Sequence, residues 1–248
     1  MKVFSWDDLG AVKSFLSQNS IQSTCLTIGG FDGNHLGHQV LFEKVLSKKN
    51  EEKSFCAGVV TFARSPRGST SANFYKGDLS TLSQKIQYFE KQGFDFCLII
   101  NFDSEFKKTL GIDFFDRLLG YCNMKFLSVG QDFRCGYKGA TDSTAIQFWA
   151  KQNKIDCIFV EPVYYKDERI SSSYIRQMIQ KGFFSTITEL LARPYELDIE
   201  TMVKDGKLTQ VLPPDGKYSV KDEKNELQHI KIQNGTLTDF PPVKKIFF

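Results

Sequence analysis

Two spacings of apolar residues alternate along the first 195 positions. Short, nearly continuous apolar runs read as buried strands: Cys25 to Ile28, Ser54 to Phe62, Asp95 to Phe102, Lys125 to Val129 and Cys157 to Val163. Between them lie stretches with helical periodicity. Gln39 to Lys48, Leu79 to Gln92, Ile112 to Tyr121, Ser143 to Gln152, Ser171 to Gln180 and Thr186 to Ala192 each place apolar residues on one face. Residues 1–20 read as a short strand and a helix. Strands alternating with helices at this spacing predict an α/β fold: a Rossmann-like open parallel sheet with helices on both faces. Five or so strands are too few for an eight-stranded barrel.

After position 195 the spacing changes to that of short strands: Tyr195 to Val203, Lys207 to Leu212, Lys217 to Val220, Leu227 to Gln233 and Val243 to Phe248. Asp205-Gly206, Asp215-Gly216 and Asn234-Gly235 are hairpin-turn dipeptides. The chain therefore reads as a domain over 1–195 and a small C-terminal β appendage over 196–248.

The predicted topology gives the loops a meaning. In an open parallel sheet, ligands bind beyond the carboxyl ends of the strands. Four unusual segments follow four predicted strands: 29–38, 61–68, 130–142 and 161–176. The first, Gly29-Gly-Phe-Asp-Gly-Asn-His-Leu-Gly-His38, joins a strand to a helix. Gly29, Gly30 and Gly33 let the backbone turn and approach a ligand. N–H groups at the helix start favour an anion. Two of the chain's three histidines, His35 and His38, fall in this turn. A histidine pair near a helix start is also compatible with simple capping, and Asp32, His35 and His38 with metal ligation. The glycines favour phosphate, because metal ligation needs no close backbone approach. Farther on, Ser171-Ser-Ser-Tyr-Ile-Arg176 opens a helix on which Ser172 and Arg176 share a face. Serine is an ordinary N-cap, and Arg176 is a permanent cation suited to phosphate.

These segments carry a resemblance. Ile28 to His38 resembles the Gly-Phe-Asp-x-x-His-x-Gly-His signature of the HxGH nucleotidylyltransferases, in the wording of the FAD synthetase (FMN adenylyltransferase) module of bacterial riboflavin kinase/FAD synthetases. Ile170 to Arg176 resembles the Ile-Ser-Ser-x-x-Ile-Arg signature paired with it. Thr61, Phe62 and Pro66 match the family's Thr-Phe-x-Pro-His-Pro segment on the flavin side, with Arg64 replacing a proline and Ser65 a histidine. Gly130, Asp132, Phe133 and Gly136 match its Gly-x-Asp-Phe-x-Phe-Gly flavin loop, with Cys135 replacing the second aromatic. Tyr137 to Asp142 lacks the family's arginine and second glycine. Arg193-Pro-Tyr195 extends the match. The Gly-Phe-Pro-Thr-Ala-Asn signature of the riboflavin kinase barrel does not occur in the sequence, so 196–248 reads as a shortened remnant of that domain without kinase activity.

The resemblance implies transfer of AMP from ATP to FMN, giving FAD and pyrophosphate. It implies catalytic roles for His35, His38 and Arg176. ATP would be held by Gly29, Gly30, Phe31, Asp32, His35, His38, Ser171, Ser172 and Arg176. FMN would be held by Thr61, Phe62, Pro66, Asp132, Phe133 and Gly136. A Mg2+ ion would be carried mainly by the substrate phosphates, with no metal ligands of the protein's own. The alternatives are a related nucleotidylyltransferase with another phosphorylated acceptor, and a non-catalytic flavin- or nucleotide-binding protein.

Composition narrows the partners. A net charge of +3, with Lys and Arg spread along the chain, leaves no nucleic-acid footprint and suits small anionic substrates. Met1 to Gly10 lacks the apolar core of a signal peptide, and no run is long enough to cross a bilayer. The six cysteines form no Cys-x-x-Cys pair and read as buried thiols of a cytoplasmic protein.

Overall fold

The computed structural model describes residues 1–52, 54–64, 77–205 and 208–248. By internal contacts the chain divides into two compact units. The first comprises Met1–Gly30, His38–Ser69 and Ile86–Pro162; the second comprises Phe31–Gly37, Thr70–Lys85 and Val163–Phe248.

The first unit is built on six parallel strands: β1 (Lys2–Ser5), β2 (Ser23–Ile28), β3 (Phe55–Phe62), β4 (Phe96–Ile100), β5 (Met124–Gly130) and β6 (Asp156–Val160). Their order is β1-β4-β3-β2-β5-β6. Every residue of β2 from Thr24 to Ile28 is buried, on both sides of the pleat. A strand covered on both faces loses the alternation of apolar and polar residues, which is why the sequence shows a continuous apolar run. Leu26, Ile28, Leu98, Ile100, Leu127 and Val129 join one core with α1 (Leu9–Gln18), α4 (Gly111–Cys122) and α5 (Ser143–Gln152). In a second aromatic cluster, Phe42 of α2 (Leu36–Glu51) packs edge-on against Phe89 of α3 (Leu82–Gln92) at 5.7 Å and against Phe94 at 5.4 Å. The strand order reverses direction at β2, so a topological switch point lies between β2 and β5. Thr27 pairs with Ser128 across it. The turns that follow these two strands therefore leave the same edge of the sheet.

In the second unit, a hairpin of β7 (Tyr164–Tyr165) and β8 (Glu168–Arg169) leads into α6 (Ser172–Lys181) and α7 (Phe184–Leu191). An antiparallel sheet follows, formed by β9 (Glu196–Asp198), β10 (Gly216–Asp222), β11 (Leu227–Gln233), β12 (Thr236–Asp239) and β13 (Lys245–Phe247) in the order β12-β11-β10-β13-β9. Ile175, Ile179, Ile187 and Leu190 of the helices share one core with Leu197, Val220, Ile230 and Ile246 of the sheet.

Most predicted elements are present within three residues of the expected bounds. Three differ in kind. Tyr195 to Val203 is a three-residue strand followed by the helix α8 (Ile199–Asp205), because the Asp198 carboxylate accepts the Thr201 N–H at 2.9 Å and starts a helical turn. In Lys207 to Leu212, only Gln210 makes a bridge among the described residues. Asp215-Gly216 opens β10 rather than forming a hairpin turn: the Asp215 carboxylate accepts the N–H groups of Asn234 and Gly235. Asn234-Gly235 does turn the β11–β12 hairpin, both residues left-handed. Gly206 lies outside the described residues.

Candidate active site

The turn from β2 to α2 is the centre of the site. Gly29 N–H bonds the Val60 carbonyl at 3.1 Å, and Thr61 Oγ1 donates to the Gly30 carbonyl at 3.2 Å. The left-handed residues of the turn are Phe31, Gly33 and Asn34, so only one of the three predicted glycines serves this purpose. Gly30 differs. No described atom beyond its chain neighbours lies within 4 Å of where its Cβ would stand. Gly37 makes room for a histidine: a Cβ there would meet His35 Nδ1 at 3.2 Å.

His35 is 5 % exposed and immediately precedes the first residue of α2; His38 lies in that helix's first turn. Burial pushes the His35 pKa down to about 3, and the Arg193 and Arg169 cations push in the same direction. His35 is therefore a neutral imidazole at pH 7, with one N–H to donate.

Within the second unit, the structure joins this turn to the start of α6. Arg176 forms a buried ion pair with Asp32, and its Nε donates to the Gly77 carbonyl at 2.8 Å. Two fixed acceptors set the plane of the guanidinium. Ser172 Oγ donates to the Asp32 carbonyl oxygen at 2.9 Å. Ser171 is the N-cap of α6 and accepts the Tyr174 N–H at 3.1 Å. The Asp32 carboxylate also accepts the N–H groups of Leu79 and Ser80, at 2.8 and 3.0 Å. Burial is the largest influence on Asp32 and pushes its carboxyl up to about 6, against the opposing pull of Arg176.

Two contributors were not assigned a role from the sequence. Arg193 donates to the carbonyls of Gly33, Asn34 and Leu191, and so braces the turn. Ser80 accepts the Gly33 N–H at 2.8 Å. Arg193 stood in the Arg-Pro-Tyr match, which was a usable signal. Ser80 lies in no pattern.

The described residues expected on the flavin side belong to the first unit. Thr61 is fully buried at the end of β3. The Phe62 ring meets Phe102 at 5.6 Å and Phe106 at 6.1 Å. Pro66 lies outside the described residues, as does Ser65. The loop after β5 closes on itself through paired backbone bonds between Cys135 and Thr141, at 3.0 and 3.1 Å. Asp132 is exposed, and Phe133 packs against the core of its unit. Gly136 is left-handed, and a Cβ there would stand 2.4 Å from Gly111 N, so the family's glycine is sterically required. His229 sits exposed on β11 beside Ser219.

The six cysteines form no disulfide. Burial pushes the thiols of Cys25, Cys122, Cys135 and Cys157 up to about 12, so none of these four is a thiolate nucleophile near neutral pH. Among the described residues no group of three His, Cys, Asp or Glu side chains is arranged to hold a metal ion, and no helix is long and apolar enough to cross a membrane.

The sequence profile of the FAD synthetase family matches residues 17–174. The chain belongs to the FAD synthetase family. Among its relatives, the bifunctional riboflavin kinase/FMN adenylyltransferase of Haemophilus influenzae is 31% identical over 223 residues, covering 81% of this chain and 70% of that one. The FAD synthetase of Listeria monocytogenes is 28% identical over 202 residues, covering 79% of this chain and 80% of its own. A crystal structure of a macrolide-efflux protein from Streptococcus pneumoniae superimposes with a TM-score of 0.76 at 18% identity, over 100% of this chain and 90% of that one. At that identity the likeness concerns the fold. The family match runs from the end of α1 to the first turn of α6, and so includes both the histidine turn and the Ser172 end of the second signature.

Proposed function

We infer that this FAD synthetase family member is an FMN adenylyltransferase: it transfers AMP from ATP to FMN, releasing pyrophosphate. One observation carries the reading. Inside the second unit, the Asp32–Arg176 ion pair and the Ser172–Asp32 bond tie Asp32 of the first nucleotidylyltransferase signature to Ser172 and Arg176 of the second, which supports the reading.

An FMN phosphate oxygen attacks the α-phosphorus of ATP. The bond from that phosphorus to the bridging oxygen breaks, and pyrophosphate leaves with the electron pair. The FMN phosphate is largely dianionic near neutral pH, its second pKa being ~6, so no general base is needed. Catalysis is positioning and charge stabilisation. His35 and His38 donate hydrogen bonds to the ATP phosphates, His35 as a neutral imidazole. Arg176 supplies the positive charge, held flat by Asp32 and Gly77. Ser171 and Ser172 bind phosphate oxygens beside it. The backbone of Gly29, Gly30 and Phe31 lies along the nucleotide. Asp32 acts chiefly by orienting Arg176. Thr61, Phe62, Pro66, Asp132, Phe133 and Gly136 form the flavin side, with Thr61 and Gly136 acting through the backbone they shape.

A Mg2+ ion would be carried by substrate phosphates and water rather than by ligands of the protein. Bound there, the ion would screen phosphate charge. The β-rich segment 196–248 is a short relative of the riboflavin kinase domain, without kinase activity. Cysteines without disulfides suit the cytoplasm. Incubation with Mg-ATP and FMN, followed by chromatography, should yield FAD and pyrophosphate; absence of both would refute the assignment.

A further inference from the structure

The C-terminal β segment grips the nucleotide half of the site through one short stretch, Gly77 to Gln84. That stretch supplies four of the bonds described above. Leu79 and Ser80 hold the Asp32 carboxylate, Ser80 receives the Gly33 N–H, and the Gly77 carbonyl receives Arg176 Nε. All of these residues lie in the second unit, and so do the partners described next.

Residues 209–211 run beside it as a bridge. Asp78 N–H bonds the Thr209 carbonyl and Val211 N–H bonds the Asp78 carbonyl, both at 2.9 Å. Gln210 is 4 % exposed, and its amide is fully engaged. Its Nε2 donates to the carbonyls of Leu79 and Glu196 at 3.0 and 2.9 Å, and its Oε1 accepts the Asp198 N–H at 2.8 Å. Asp198, also 4 % exposed, accepts the hydroxyls of Thr81 and Thr201, each at 2.7 Å. Thr81 and Gln84 close the stretch on itself, and Gln84 Nε2 reaches the Glu196 carbonyl at 3.2 Å. Tyr195, fully buried, donates to the Val211 carbonyl at 2.8 Å. Buried polar groups satisfied this completely hold one geometry.

We propose that Gln210, Asp198 and Thr81 are positioning residues of the ATP site, and that the C-terminal segment is a built-in brace for it. They touch no substrate. They set the height of the Leu79 and Ser80 N–H groups, which place Asp32, which in turn sets the plane of Arg176. The proposal rests on the adenylyltransferase reading, but its test does not depend on that reading alone.

The test compares Thr81→Val, Thr81→Ser, Gln210→Ala and, as a control within the same sheet, Gln228→Ala, which removes only a bond to Asp222. Two readouts are taken on the full chain: amide hydrogen exchange at Gly33, Leu79 and Ser80, and the KM values for ATP and FMN. Thr81→Val should speed exchange at these amides and raise the KM for ATP about tenfold, with the KM for FMN unchanged. Thr81→Ser, which keeps the hydroxyl, should restore both. Gln210→Ala should act in the same direction, and Gln228→Ala should move neither. Wild-type exchange and ATP KM in both Thr81→Val and Gln210→Ala would overturn the proposal, as would equal changes in Gln228→Ala. If Gln210→Ala fails to fold, the threonine pair decides. If the wild-type protein makes no FAD, the functional assignment fails, and the brace is judged on exchange alone.

Discussion

Burial makes His35 and Asp32 titrate in opposite senses, and this has a consequence for stability. The folded pKa of His35 lies near 3, below its ordinary value of 6.5. Between these values the unfolded chain holds a proton that the folded chain does not, so stability rises with pH across this window and is lost as pH falls through it. Asp32, raised from 3.8 to about 6, acts the other way: between those values the folded state holds the extra proton, and stability falls as pH rises. The two partly cancel in the wild type. His35→Gln should remove the first contribution alone. Its unfolding free energy, measured by urea titration between pH 4 and 6, should rise less steeply with pH, by up to about 1.4 kcal/mol per unit. Identical slopes would mean that His35 is not buried as a neutral ring. At this scale the sequence revealed the residues that sit in signatures: His35, His38, Asp32, Ser172 and Arg176. It did not reveal Ser80, Gln210 or Asp198. Each is a single polar residue whose importance comes from a partner dozens of positions away, and no local spacing encodes that.

Among the elements, the two turns on the sheet edge hold glycines in two different settings. Gly136 is left-handed and pressed against the Gly111 backbone. Gly136→Ala should cost about 1–3 kcal/mol for the backbone conformation alone, with the steric contact adding to it, and should lower the melting temperature by several degrees. At Gly30 no described atom beyond its chain neighbours lies within 4 Å of where a Cβ would stand, and its φ is not left-handed. Gly30→Ala should change stability by no more than about 0.5 kcal/mol yet weaken ATP binding, because the new methyl group would occupy the path of the nucleotide. Thermal unfolding and calorimetric titration with an ATP analogue separate the two; a Gly30→Ala variant with full affinity would remove that backbone from the ATP site. Continuous apolar runs made the parallel strands easy to find, since burial on both faces leaves no polar gaps. The same reading took Ile199 to Val203 as strand. What decides that segment is the Asp198 side chain starting a helix, an interaction invisible to periodicity. The hairpin of β7 and β8 was missed because two-residue strands carry no period at all.

For the whole molecule, the sequence suggested a catalytic domain followed by an appendage. The chain is threaded differently: the second unit collects Phe31–Gly37, Thr70–Lys85 and Val163–Phe248. The histidine turn is thus shared, with Phe31 to Gly37 in the second unit and His38 in the first. The C-terminal sheet shares a core with α6, the helix that carries Arg176. The reaction itself is best tested by following the phosphorus. With ATP labelled at the α-phosphate, Mg2+ and FMN, the label should pass into a single flavin product that co-elutes with FAD, leaving the pyrophosphate unlabelled; riboflavin in place of FMN should give no labelled flavin. No labelled flavin from FMN, or a flavin labelled only when ATP carries the label at its γ-phosphate, would contradict the account.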